Sequence, residues 1–326
     1  MCMGECHVKF GDCFVNSKKE QVFKNVMVYA ISPAWTQTLA SMQSGLDKAR
    51  FVECGLSQEK SIGWTEPRGE ANAQGYGPLV ESVGGQLILK LMMEVKVLPG
   101  SVVARKAQDR IAHIEASTGR KPGKKETRDI KDDIRLELLP QAFTKQGTVS
   151  IWIDPKAKRL VIDAASSAKA DEVVTMLVKC LDGFAVTLVN TTTSPAVAMA
   201  QWLTTQEAPS GFSVDRECEL KAADESKAVV RYSRHPLDIQ EVQAHIESGK
   251  QPTRVALTWN SRVSFVLTDA LQIKKVAFLD VVFESATGGS AGKDDGFDAD
   301  MAIATAELGQ LIPDLLLALD GEVVAG

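Results

Sequence analysis

The densest set of candidate metal ligands in the chain is Asp294-Asp295-Gly296-Phe297-Asp298-Ala299-Asp300. Mg²⁺ sites that act on phosphodiesters use one or two carboxylates, with waters and phosphate oxygens completing the shell. Counted from Asp298, the run lacks an Asp/Asn at the fifth position and a Gly at the sixth, which excludes an EF-hand. Asp298 and Asp300 also stand where an apolar helix begins, and carboxylates there stabilise the positive end of the helix dipole. The run supports two readings, a Mg-dependent nuclease using Asp298 and Asp300 or plain helix capping. Capping is the more economical.

The second set is basic. Residues 105–131 carry nine Lys/Arg against four Asp/Glu, while residues 276–326 carry one Lys against ten Asp/Glu. The whole chain stands at −5, so net charge conceals a segment at +5 and another at −9. A basic surface concentrated on one element is the electrostatic footprint of a polyanion partner. Solvated helix faces carry charge runs too, so this pattern alone does not settle the matter. An acidic C-terminal helix that mimics DNA, in a protein-interaction module, is a third possibility.

Other chemistries fail on spacing. Gly119 to Lys125 and Gly288 to Asp294 each have three residues between the glycines instead of four, and no Ser/Thr after the Lys. Neither can cradle a triphosphate as a P-loop does. Gly75-Tyr76-Gly77-Pro78 lacks the third glycine of a dinucleotide fingerprint. His7, His113, His235 and His245 lie in no nucleophile motif, and no Gly-x-Ser-x-Gly elbow is present. Cys2, Cys6 and Cys13 with His7 form no second ligand pair of the kind zinc requires. Cys54, Cys180 and Cys218 are far apart and read as reduced, mostly buried thiols of a cytosolic protein. No cofactor is expected. The chain shows no secretory leader and no apolar run approaching the roughly 20 residues that span a bilayer.

The elements that position these groups follow from periodicity. A length of 326 residues suggests two or three lobes. Strands are expected at 23–30, 86–97, 148–153, 159–163, 185–190, 228–232, 255–259, 262–268 and 273–283. Helices are expected at 35–50, 102–117, 126–138, 168–181, 195–204, 237–248 and 297–319, with Asp238 as an N-terminal cap. Gly63 to Gly69 reads as a turn-rich segment in which Trp64 anchors packing. Gly119 and the Lys121-Pro122-Gly123 loop separate two helices, and Pro140 stops the second. This makes a hairpin with a basic tip of Arg120, Lys121, Lys124, Lys125, Arg128 and Lys131. The class is α+β: mainly antiparallel sheets with packed helices and a protruding helical hairpin. Residues 1–21 read as a disordered or non-native extension. Residues 22–99 form a central α/β region with 145–165 and C-terminal segments. Residues 100–144 are the hairpin tip region, and 166–326 a base region whose terminal helix returns to the core.

Several segments, in order, resemble the bacterial recombination-associated protein RdgC family. They are Phe23 to Tyr29, Gly63-Trp64 with Pro67 and Gly69, Leu138-Leu139-Pro140-Gln141-Ala142-Phe143, and Ile151-Trp152-Ile153-Asp154. Later come His245 to Lys250, Leu257-Thr258-Trp259 and Phe297-Asp298-Ala299-Asp300. The resemblance runs from about Phe23 to Glu322. It implies a non-enzymatic, sequence-independent DNA-binding protein, cytoplasmic and nucleoid-associated. The expected assembly is a head-to-head, ring-shaped homodimer that encircles duplex DNA through a basic hole and limits RecA-promoted strand exchange. Single-stranded DNA is a further possible partner; no membrane is involved.

The resemblance also implies two ring-closing contacts. One lies at the hairpin tips, where the aromatic after Leu-Pro-x-Ala packs, here Phe143. The other lies at the opposite end and matches Arg234 and His235, where the family more often shows Lys and Gln. Gln141 stands where relatives can carry Arg. The candidate DNA contacts are Lys24, Arg68, Arg120, Lys121, Lys124, Lys125, Arg128, Lys131 and Arg234. Phosphate contacts carry no sequence information, so such a surface would bind without base preference.

Overall fold

The computed structural model describes residues 22–69, 77–284 and 293–323. The expected extension at 1–21, with Cys2, Cys6, Cys13 and His7, lies outside the described residues, as does the Gly288–Gly292 loop.

Alternation along four strands sets the architecture. In β1 (Val26–Ile31), Met27, Tyr29 and Ile31 point to one face, and Val26 and Val28 to the other. The same split runs through β4 (Gln86–Val97), β5 (Phe143–Asp154) and β6 (Arg159–Asp163). Strands apolar on both faces must be covered on both. On one side α1 (Leu39–Asp47) and α4 (Ser167–Cys180) bury Met42, Leu46, Val173 and Leu177. On the other, α5 (Pro195–Thr205), α6 (Gln240–Glu247) and the long α8 (Lys293–Ala318) bury Met199, Val242, Leu308 and Leu311.

All twelve strands join one sheet in the order β2-β4-β5-β6-β1-β12-β11-β10-β8-β9, with β3 beside β4 and β7 beside β1. The remaining strands are β2 (Lys60–Thr65), β3 (Val80–Val83), β7 (Val186–Leu188), β8 (Phe212–Ala222), β9 (Val229–Ser233), β10 (Lys250–Trp259), β11 (Val263–Thr268) and β12 (Ile273–Phe278). Their pairings are antiparallel. The α+β class with a large antiparallel sheet is as the sequence implies.

Two glycines are required by close approach. A Cβ at Gly45 would stand 2.2 Å from the Cys180 carbonyl oxygen, so glycine lets α1 sit against the end of α4. A Cβ at Gly63 would stand 2.4 Å from the Phe51 Cα. That crowding accompanies the bonds Phe51 N–H to Trp64 O (2.9 Å) and Trp64 N–H to Ala49 O (2.9 Å), which seat the 49–51 segment on β2. The Gly-Trp pair therefore belongs to a strand, not to the turn-rich segment expected there. Trp64 is the packing anchor, 1% exposed.

Other differences have local causes. The strand expected at 273–283 ends at Phe278, and α7 (Asp280–Glu284) follows. β8 escapes the sequence pattern because Asp215, Arg216, Glu217 and Glu219 interrupt its apolar positions, and its register on β10 shifts at Val255/Leu257. β5 begins at Phe143, five residues before the expected start. That end of β5 is exposed and is held by its ladder to β4. Asp238 does not cap α6: the cap position is Ile239, with no side-chain bond to the helix. By length and composition, Gly296–Ala318 could cross a bilayer, contrary to the sequence expectation. Half of that window is buried, with Leu308, Leu311 and Leu315 in the core, so it serves here as a core helix. Cys218 is buried, which pushes its thiol up to about 12, whereas Cys54 and Cys180 are only partly buried.

Candidate nucleic-acid interface

Two helices leave the sheet between β4 and β5: α2 (Gly100–Thr118) and α3 (Lys124–Leu138). Gly119 closes α2 in the left-handed region (φ 70°), its amide bonded to the Glu115 carbonyl at 2.9 Å. Such a C-cap suits glycine because it has no Cβ to clash. The helices meet over a small core of Val103, Ala107, Ile130, Ile134 and Leu138.

Helix periodicity sorts the charges of α3 around that core. With Ile130, Ile134 and Leu138 facing α2, Lys124, Arg128, Lys131 and Arg135 recur at i, i+4, i+7 and i+11 along one flank. Glu126, Asp129, Asp133 and Glu137 occupy the opposite flank. The acidic flank meets α2 and the turn. Arg110 holds Glu137 through paired bonds of 3.0 and 3.2 Å, and Arg120 holds Glu126 through bonds of 3.0 and 3.3 Å. On the basic flank only Arg135 is engaged, with Asp132 at 3.0 Å and Glu59 at 4.0 Å. Among the described residues, no side-chain hydrogen bond or ion pair reaches Lys121, Lys124, Lys125, Arg128 or Lys131, and all five are exposed.

Lys24 and Arg68 lie elsewhere, at a cleft of about 450 Å³ between the sheet and the start of α8. Lys90, Thr148, Ser150, Asp163, Phe297 and Asp300 share its walls. Arg68 is committed inside the chain. It pairs with Glu81 (3.2 Å) and Asp298 (2.8 Å), which raise its pKa, Glu81 foremost, and it lies 4.9 Å over the Phe297 ring. Asp298 therefore is not the cap expected of it. α8 starts five residues earlier, at Lys293, and the Asp298 carboxylate ties this helix to the β2–β3 connection. The side chains of Asp294 and Asp295 lie outside the described residues, and no group of three or more His/Cys/Asp/Glu placed to hold a metal occurs among the rest. Burial pushes the Asp163 carboxyl up, while the amides of Asn25, Lys24 and Phe23 pull it down. That carboxylate holds the turn before β1, with Asn25 N–H at 2.8 Å.

Lys90, on the cleft wall, bonds the Pro67 carbonyl through its ammonium, and nearby Lys169 and Lys274 reach the carbonyls of Thr148 (3.4 Å) and Ala165 (3.2 Å). Lys90 interrupts an apolar run at the two-residue period, a signal that it leaves the buried face.

The two residue groups expected at assembly contacts lie far apart in the sheet order: Phe143 on β5, the third strand, and Arg234 and His235 just past β9, the last. Phe143 is not at the hairpin turn. It opens β5 opposite Val97, at the neck where α2 begins, and α3's length (15 residues, about 22 Å) separates it from the 119–123 turn. It is 86% exposed, and Val95 and Val97 beside it are exposed too. Arg234 and His235 follow β9, which among the described strands pairs only with β8. Arg234 takes a positive φ of 56°, and His235 Nδ1 lies 2.8 Å from the Pro236 carbonyl oxygen.

A sheet-based α+β protein that projects a charged helical hairpin, with exposed apolar side chains at its neck, defines the class. The chain belongs to the RdgC family. A family model described as "Putative exonuclease, RdgC" matches residues 22–322. The recombination-associated protein RdgC of Dechloromonas aromatica (strain RCB) is 44% identical over 305 residues, 93% of this chain and 98% of that protein. The one from Cupriavidus pinatubonensis is 44% identical over 300 residues, 92% of this chain and 98% of that protein. That of Bordetella pertussis (strain Tohama I) is 41% identical over 300 residues, again 92% and 98%.

Proposed function

We propose that this protein binds DNA without sequence preference as a ring-shaped homodimer around duplex, and in that way limits RecA-promoted recombination in the cytoplasm, at the nucleoid. The observation that carries the reading is the exposed, internally unpaired basic side chains of the hairpin, set on a body that is acidic overall. Cations without internal partners are available to release counterions from phosphates. The names of the relatives, as recombination-associated proteins, support DNA as the partner.

Two surfaces support a closed ring. The neck offers Phe143, Val95 and Val97, an exposed apolar group of the kind that marks protein contacts. The open edge of β9, with Arg234 and His235, offers backbone groups for pairing with a second copy. Two self-complementary contacts at these separate places would close a two-fold ring.

Duplex affinity measured across a salt series tests this: the log–log slope should be near −0.9 per phosphate neutralised. A salt-independent affinity overturns it. Tighter retention on closed-circular than on linear duplex, with a dimer mass in solution, tests the ring. The alternative, a Mg-dependent nuclease, takes its support from the family description and from Asp300 lining the cleft. Cleavage of labelled duplex in Mg²⁺ that is abolished by Asp298→Asn or Asp300→Asn would favour it over binding alone.

A further inference from the structure

We infer that the phosphate-contacting surface of the hairpin is one flank of α3, the line Lys124–Arg128–Lys131, and that Arg110 and Arg120, also exposed, take no part in it. The inference rests on the DNA-binding reading and separates Arg120 from the hairpin cations with which the sequence groups it.

Three observations carry it. Like charges at i, i+3 and i, i+4 repel on a helix. The acidic flank of α3 has the same arrangement but is relieved at both ends, by Arg110 on Glu137 and Arg120 on Glu126. On the basic flank, relief comes only to Arg135, at the end next to the sheet. The chain thus pairs the two end members of the acidic stripe internally and leaves three consecutive cations of the basic stripe unpaired and exposed to solvent.

The N-terminus of α3 adds to the imbalance. Lys124 and Lys125 stand in the first turn, where the helix dipole already disfavours positive charge, and the cap residue Gly123 supplies no side-chain acceptor. An external phosphate would relieve the repulsion, the dipole conflict and the uncapped amides together. The spacing suits a strand: seven residues of helix rise about 10 Å, or about three phosphates of one B-form strand measured along the axis.

Two charge-matched variants, Arg128→Gln/Lys131→Gln and Arg110→Gln/Arg120→Gln, decide the matter when duplex affinity is followed from about 50 to 200 mM salt. The first should lower the log–log slope by about 1.8, the sum for two phosphate contacts, and the second by less than about 0.5. Equal slope losses overturn the assignment while leaving DNA binding intact. Loss of salt-dependent binding in the wild-type protein would instead remove the reading on which it rests. Acylation of lysines in the unmodified protein gives a second readout that needs no variant. Duplex should protect Lys124 and Lys131 and leave Lys106, on α2, reactive; equal protection of Lys106 counts against the stripe.

Discussion

The hairpin and the sheet body solve different problems with the same chain. The body covers both faces of its sheet, and its buried set includes Trp64, Trp152 and Trp259. The core between the two hairpin helices has five buried side chains, one of them alanine, and the helices are otherwise largely solvated. With so little apolar burial, much of what distinguishes its surface is charge: an acidic flank held at its two ends by Arg110 and Arg120, and a basic flank held only at Arg135. The contrast teaches that the body is specified by packing and the hairpin by polar geometry, so the two should respond differently to substitution.

The largest expected effect is in the body. Trp152 fills the core and donates Nε1–H to Gln86 Oε1 at 2.7 Å, so Trp152→Ala should lower global stability by about 3–5 kcal/mol in urea unfolding. Ile134→Ala removes the centre of the hairpin core and should cost about 2–4 kcal/mol locally. Hydrogen exchange should then rise across 100–138 while β4, β5 and β6 keep their protection. Global loss of protection in that variant would break the comparison.

Phe143→Ala touches neither core. Its unfolding midpoint should stay within about 0.5 kcal/mol of wild type, while the dimer dissociation constant rises by about tenfold or more in sedimentation experiments, as for loss of an aromatic anchor. An unchanged dimer removes Phe143 from the interface.

The smallest effect tests the body's edge. Arg159, the first residue of β6, holds Glu322 just past the end of α8, and its guanidinium keeps that carboxyl below the usual glutamate range. A carboxyl whose folded pKa is depressed stabilises above its unfolded value, about 4.3, and loses that contribution as pH falls through the folded value. Glu322→Gln should therefore cost at most about 1 kcal/mol at neutral pH, since solvent screens the pair, and the difference from wild type should vanish in acid. A difference that persists at low pH would assign the effect to packing.

Much of this was legible in the chain. β4 was read end to end, and both hairpin helices to within two residues, because their periods are uninterrupted and Gly119 and Pro140 punctuate them. β8 was not legible, since charged residues break its apolar positions and its pairing with β10 and β9 makes it a strand. The roles of Arg68 and Asp298 were hidden too. They lie 230 residues apart, and nothing local to either announces the other.

The sequence by itself determined the antiparallel α+β class, the basic hairpin and the family, because hydrophobic period and ordered motifs are local properties. Only the tertiary structure decided which charges are available. Ion pairing depends on which side chains are brought within about 4 Å, so Arg120 and Lys124, four residues apart in one basic run, end with opposite fates. The first is held by Glu126 and the second faces solvent.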